Sequence, residues 1–170
     1  MELFARSHNL LKALCNIKRL TLCIEFWTSD MMQSISNNIP TFPNLTHLGF
    51  YSYNYRWDIL AMMLHSSPKL ESLSLWKFMC ICHASGNTSL ETPQHVPRCV
   101  SVHLKEICFT RYEGKQIELE IARYILENAT VLRKMTICWC SNLDAETRLS
   151  VTAKLSTFLR SSLTCKLIFS

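Results

Sequence analysis

Residues 70–75 read LESLSL and residues 45–50 read LTHLGF, and in both stretches apolar side chains occupy the first, fourth and sixth positions. The same spacing recurs three more times, in IKRLTL at 17–22, LKEICF at 104–109 and LRKMTI at 132–137. The last two apolar residues of each stretch are two positions apart, which is the spacing of side chains on one face of a β-strand. The pattern predicts five short strands, each with one apolar face.

Between these strands the apolar spacing becomes helical. Trp57, Leu60, Ala61 and Leu64 predict a helix that ends at Ser66, Ser67 and Pro68. Apolar residues at 117, 121, 122, 125 and 129 predict a second helix, with the solvent-facing side chains expected to be Glu118, Glu120, Arg123 and Glu127. An earlier helix is predicted around Leu10, Leu11 and Leu14. A last one is predicted through Leu149, Thr152, Leu155 and Leu159, with Asp144 as its N-cap.

A strand followed by a helix at intervals of 20 to 29 residues is typical of leucine-rich repeats, whose units bury their apolar faces against one another. Successive strands here start 28, 25, 34 and 28 residues apart. We therefore predict an α/β leucine-rich-repeat solenoid with a parallel sheet on its concave face and helices on its convex face. The longest interval, from Phe78 to His103, is predicted to be a loop that replaces one helix, and Cys165 to Phe169 a closing strand.

Composition restricts the function classes. The chain has 170 residues, a formal net charge of +5, 48% hydrophobic residues and only 3 glycines, which predicts one folded unit rather than a disordered chain. Charges are scattered and no apolar run reaches the length of a membrane span, so neither nucleic acid nor membrane is an expected partner. No export signal is visible, and the 9 cysteines are expected to be reduced in a cytoplasmic or nuclear protein.

Strand geometry predicts which side chains meet a partner, because the residues between the buried ones point to the concave face. We expect three columns there: Arg19, His47, Ser72, Glu106 and Lys134; Thr21, Gly49, Ser74, Cys108 and Thr136; Cys23, Tyr51, Trp76, Thr110 and Cys138. The candidate partner-binding residues are Arg19, His47, Tyr51, Trp76, Glu106 and Lys134, with the aromatic pair forming the wall of a shallow groove. Alternatively, these are ordinary solvated positions, or Trp76 lies under the following loop.

Catalytic and metal-binding patterns are weak. The chain lacks Gly-x-Ser-x-Gly, His-Glu-x-x-His and a phosphate-binding glycine loop, and adjacent Cys82 and His83 on an extended loop point apart, so we expect neither an enzyme nor a cofactor. The alternative to protein binding is a thiol or zinc site formed by Cys80, Cys82, Cys138 and Cys140. The Cys-x-Cys spacing is unlike that of most structural zinc sites, so we expect no metal.

The second half of the chain resembles the FBD domain of plant F-box and leucine-rich-repeat proteins. The similarity is carried by Pro93, Val96, Pro97, Cys99, residues 103–107, Gly114, Glu118, Leu119, residues 124–126, Asn128, Ala129, Val131, Leu132 and residues 135–137. Residues 41–46, Leu48 and residues 67–73 are similar to the repeats that precede this domain. Ser161, Ser162, Cys165, Ile168 and Phe169 are similar to its C-terminus. The tryptophan that family members usually carry before Pro93 is missing here. By this resemblance, residues 1–90 form leucine-rich repeats and residues 91–170 form FBD-like repeats and a cap, in one continuous solenoid.

The resemblance also implies a function. Complete members of the family carry an F-box, which docks on a Skp-type adaptor of a cullin ubiquitin ligase, while their repeats recognise the substrate. No segment of this chain resembles an F-box, so we expect an unidentified target protein as partner and no binding to the adaptor. We also expect the N-terminal unit, with Leu3, Phe4, Leu10 and Leu11, either to expose apolar surface or to associate, because the ends of a solenoid need caps.

Overall fold

A computed structural model of the chain describes residues 14–23, 39–52, 56–77 and 95–170. The predictions for Leu3, Phe4, Leu10, Leu11, Cys80, Cys82 and His83 lie outside these residues. So does most of the predicted loop that follows Phe78.

Six strands form one parallel sheet in which spatial order follows chain order. They are β1 (Arg19–Cys23), β2 (His47–Ser52), β3 (Ser72–Lys77), β4 (Glu106–Tyr112), β5 (Lys134–Trp139) and β6 (Lys166–Phe169). Equivalent positions of the hexapeptide pair across the sheet, so that Leu48 lies between Leu20 and Leu73 and Leu73 lies beside Ile107. The five predicted strands and the closing strand are confirmed.

Four helices are present in the described ranges: α1 (Trp57–Ser66), α2 (Arg98–Val102), α3 (Gln116–Asn128) and α4 (Ala145–Ser156). The predicted helices over 57–64 and 117–129 correspond to α1 and α3. Asp144 caps α4 as predicted, because its side chain accepts a hydrogen bond of 2.8 Å from the Thr147 N–H. This alternation of parallel strands and helices is compatible with a leucine-rich-repeat fold.

The apolar hexapeptide residues make the core. Among the fifteen, only Ile17 is more than a tenth exposed; Leu45, Leu70, Leu104 and Leu132 are fully buried. Each such side chain contributes about 1.5–3 kcal/mol when removed from water. They form one cluster with buried residues of the helices, such as Leu60 in α1 and Ile125 in α3. The sheet therefore has one face packed in the core and one face available to solvent.

Two sequence predictions about helices are wrong in part. The segment from Phe78 to His103 is not entirely a loop, because it contains the five-residue helix α2, which begins at Arg98 and buries Cys99 and Val100. In the last helix the predicted Leu155 is buried in the core, but the predicted Leu149 and Leu159 are 72% and 77% exposed, and Val151 is buried instead.

Glu118 was expected to face water, and this expectation is also wrong. Its side chain is completely buried, 3.2 Å from the ammonium of Lys77 at the end of β3. The other carboxylate oxygen accepts hydrogen bonds from the backbone N–H groups of Glu113 and Lys115, at 3.0 and 2.9 Å. Glu113 approaches Lys77 at 2.9 Å. This network fixes the first turn of α3 to the sheet.

No helix in the described ranges is long and apolar enough to cross a membrane.

Candidate functional site

The face of the sheet opposite the core, called the open face below, carries the candidate binding residues. Parallel pairing aligns Arg19, His47, Ser72, Glu106, Lys134 and Lys166 in a first column. The second column contains Thr21, Gly49, Ser74, Cys108, Thr136 and Ile168, and the third Cys23, Tyr51, Trp76, Thr110 and Cys138. The three predicted columns are thus present in the register. Lys166 and Ile168 extend them, and the repeat pattern missed both because the closing strand lacks the full hexapeptide.

Two aromatic rings meet on the open face. The ring centroids of Tyr51 and Trp76 are 4.2 Å apart with planes inclined by 39°, and both residues are half-buried. Such pairs contribute about 0.5–1.5 kcal/mol beyond their burial. The pair offers a rigid amphipathic surface of the kind that anchors protein interfaces.

Trp76 does not stand upright as the wall of a groove. A Cβ placed on Gly49 would lie 2.7 Å from Trp76 Cζ3, so the indole crosses to the neighbouring strand and covers this glycine. The absence of a side chain at position 49 is what lets the ring approach the backbone of β2 this closely. The predicted groove of small residues is therefore partly filled by the indole, and the aromatic pair forms a patch.

Charged side chains line the amino-terminal ends of the strands. Lys105 pairs with Glu71 at 2.8 Å and Lys134 with Glu106 at 3.4 Å, and all four side chains are about two-fifths to one-half exposed. The hydrogen bond from Lys105 holds the pKa of Glu71 below its ordinary value. Exposed ion pairs of this kind contribute at most about 1 kcal/mol, so an incoming partner can rearrange them at low cost.

Two shallow depressions adjoin this charged row. One, of about 250 Å³, is lined by His47, Glu71, Ser72, Lys105, Glu106 and Arg133. The other, of about 520 Å³, is lined by Arg133, Lys134, Thr164, Lys166 and Ile168. Arg133 lines both, so the two depressions are neighbours along the same edge of the open face. Three predicted residues, His47, Glu106 and Lys134, lie here, whereas Tyr51 and Trp76 lie at the opposite end of the strands.

Arg19 occupies the predicted position at the start of β1 and is exposed. It lies beside His47 in the sheet. His47 accepts or donates a hydrogen bond of 2.9 Å with the hydroxyl of Thr46. The six predicted binding residues therefore divide into an aromatic group and a charged group on one continuous face.

The thiols give little support to a metal site. Cys138 is half-buried on the open face, whereas Cys140 lies beyond the strand and is buried. Within the described ranges no three metal-ligating residues lie together. The site with Cys80 and Cys82 stays a prediction, because both lie outside those ranges.

Comparison with known proteins adds an independent observation. The family model of the FBD domain matches residues 91–137. An F-box/FBD/LRR-repeat protein of Arabidopsis thaliana is 32% identical over 163 residues, covering 95% of this chain and 37% of its own length. A second protein of that description, also from Arabidopsis thaliana, is 34% identical over 134 residues, which is 75% of this chain and 30% of the relative.

An FBD-associated F-box protein of the same plant is 29% identical over 183 residues, covering 99% of this chain and 41% of the relative. The chain thus spans between 30% and 41% of the length of these relatives. No solved structure gives a significant match.

Proposed function

The chain corresponds to the leucine-rich-repeat and FBD region of plant F-box/FBD/LRR-repeat proteins, and on this basis we propose that it is a non-catalytic module that binds a target protein through its open face. The observation that carries the proposal is the register of the sheet. It places the exposed side chains of β1 to β6 in straight columns, with an aromatic patch at one end and charged residues at the other.

The proposal includes a finer description of the architecture. The strands and helices form a curved leucine-rich-repeat solenoid in which the open face is concave, and residues 91–170 form its FBD-like terminal units and cap. Support comes from the strictly sequential parallel strands and from the fully buried hexapeptide leucines. A concave sheet would bring the side chains of neighbouring columns around a convex partner.

The proposed role in the cell follows from the relatives. In proteins named for an F-box, a repeat region of this kind would select the substrate that the ubiquitin ligase modifies. We propose that this chain supplies the corresponding recognition surface of an SCF-type ligase adaptor. Its contribution is selection of the target, and we assign no residue of the chain to catalysis.

Proximity labelling in plant cells tests the open face directly. The chain fused to a labelling enzyme is compared with a Tyr51→Ala/Trp76→Ala variant, and any protein whose labelling depends on the aromatic pair is purified for direct binding measurements. Truncating an interface anchor typically costs about 2 kcal/mol or more, which weakens binding at least about thirtyfold.

The matched control is Leu149→Ala/Leu159→Ala, which removes two exposed apolar side chains far from the open face. Circular dichroism establishes that both variants are folded. Labelling that is lost with the aromatic variant and retained with the control supports the proposal. An identical set of labelled proteins for all three chains contradicts it.

A further inference from the structure

The distribution of charge on the open face is uneven. The residue just before each strand donates a backbone hydrogen bond to the equivalent residue before the preceding strand. This pairing aligns Lys18, Thr46, Glu71, Lys105 and Arg133 across the sheet. Together with the first column, this row forms what we call the basic rim: Lys18, Arg19, Lys105, Arg133, Lys134 and Lys166, interrupted by Glu71 and Glu106. The rim therefore holds six cations and two carboxylates.

Both carboxylates are already neutralised by cations of the rim, since Glu71 pairs with Lys105 and Glu106 with Lys134. Lys18, Arg19, Arg133 and Lys166 make no salt bridge to any other part of the chain that the structure describes. The unpaired cations lie at the two ends of the rim, Lys18 and Arg19 at the β1 end and Arg133 and Lys166 at the β5–β6 end. At the β5–β6 end, Arg133 and Lys166 line the 520 Å³ depression together with Lys134, which is paired with Glu106.

The depression also has an apolar component. Ile168 is one of its lining residues and is 42% exposed. Thr164 adds a hydroxyl to the lining. A ligand that fits this surface combines negative charge, for the unpaired Arg133 and Lys166, with an aliphatic side chain for Ile168. A uniformly charged polyphosphate backbone could pair with the cations, but it has no aliphatic group for Ile168. It would also bring negative charge close to the carboxylate of Glu106.

We infer that the basic rim binds an acidic peptide segment of the target, with carboxylates directed at Arg133 and Lys166 and an aliphatic side chain on Ile168. This inference rests on the proposed protein-binding function and specifies the chemistry of the partner. Neighbouring strands are about 4.8 Å apart, so the cations at the amino-terminal ends of β4, β5 and β6 present a row that an extended peptide crossing the strands can follow. They are Lys105, Arg133, Lys134 and Lys166. Such charge complementarity increases the association rate and makes binding sensitive to salt.

The test measures fluorescence anisotropy of short labelled peptides added to the full chain. The probe alternates Glu and Leu, and the comparison peptides replace every Glu by Gln or by Lys. A single-stranded oligonucleotide of the same charge is measured in parallel. We expect the Glu–Leu peptide to bind at low salt, the Gln and Lys versions to bind much more weakly, and the affinity to fall as salt is added.

The decisive variant is Arg133→Gln/Lys166→Gln. Its matched control, Arg123→Gln/Lys154→Gln, removes the same charge from exposed positions on α3 and α4. We expect about a tenfold loss of affinity in the rim variant and less than about a twofold loss in the control. Equal losses in the two variants, equal binding of the Glu and Gln peptides, or tighter binding of the oligonucleotide would each overturn the inference.

The same rim variant is also expressed in the labelling experiment. Target labelling that requires Tyr51 and Trp76 but survives Arg133→Gln/Lys166→Gln refutes the acidic partner and leaves the binding function intact. Labelling that is unchanged in both the Tyr51→Ala/Trp76→Ala variant and the Arg133→Gln/Lys166→Gln variant refutes binding through the open face itself.

Discussion

The buried pair of Lys77 and Glu118 offers a quantitative test of how the helices are fixed to the sheet. In Lys77→Met the apolar part of the side chain is retained, but the cation 3.2 Å from a completely buried carboxylate is lost. Breaking a buried ion pair by removing one partner costs about 3–5 kcal/mol. The two backbone N–H groups that donate to Glu118 remain, so we expect about 3 kcal/mol at neutral pH, the lower end of the range.

The matched control is Lys115→Met. Lys115 contacts Glu113 at 2.8 Å, close to the distance between Lys77 and Glu113, but its side chain is 57% exposed. We expect this variant to lose less than about 1 kcal/mol, because solvent screens exposed pairs. Urea unfolding followed by far-ultraviolet circular dichroism measures both changes as shifts in the free energy of unfolding.

A double-mutant cycle separates the interaction free energy between Lys77 and Glu118 from the other contacts of the two side chains. In Lys77→Met/Glu118→Gln no unpaired charge is buried, so the double variant should lose at least about 1 kcal/mol less than the sum of the single losses. Strict additivity would show that the two charges do not interact. A loss for Lys77→Met no larger than that for Lys115→Met would refute the reasoning from burial.

Three further outcomes are expected. Burial raises the pKa of Glu118 above the ordinary 4.5, so the folded state holds its proton more tightly than the unfolded chain does. The free energy of unfolding, relative to Glu118→Gln, should therefore decrease as the pH rises above about 4.5, as measured by urea titrations. Gly49→Ala should displace the Trp76 indole and alter tryptophan fluorescence, with no such change in a Trp76→Phe background. Gly114→Ala should lower the free energy of unfolding by about 1–3 kcal/mol, because φ is +75° there and the new methyl group would overlap Val151; a loss below about 0.5 kcal/mol would contradict this.

The columns of the open face illustrate what can be inferred from a sequence of this type. The hexapeptide leucines are separated by intervals that fit one strand per unit, and burying them side by side leaves only one register for the strands. That register places Tyr51 beside Trp76 and Glu106 beside Lys134 without any further information. The position of the aromatic and charged candidate residues on one face could therefore be predicted from local periodicity.

The surroundings of those candidate residues could not be predicted from the sequence. Trp76 covers Gly49 on the neighbouring strand β2, and only the packed sheet shows that the indole fills part of the predicted groove. The basic depression depends on Lys166 and Ile168, which belong to a strand without the repeat pattern. Glu118 fits a solvent-facing position of its helix, yet a cation 41 residues earlier in the chain makes its burial possible.

Repetition by itself determined the order of strands, the apolar core and the side chains that share the open face, because those properties depend on spacing within one unit and are copied to the next. Tertiary structure alone decided which charges are paired, where an indole lies, that Leu149 faces water while Val151 packs inward, and that α2 interrupts the long connection. The physical reason is that each of these depends on contact between residues far apart in sequence, and neither periodicity nor propensity encodes the distance between two side chains.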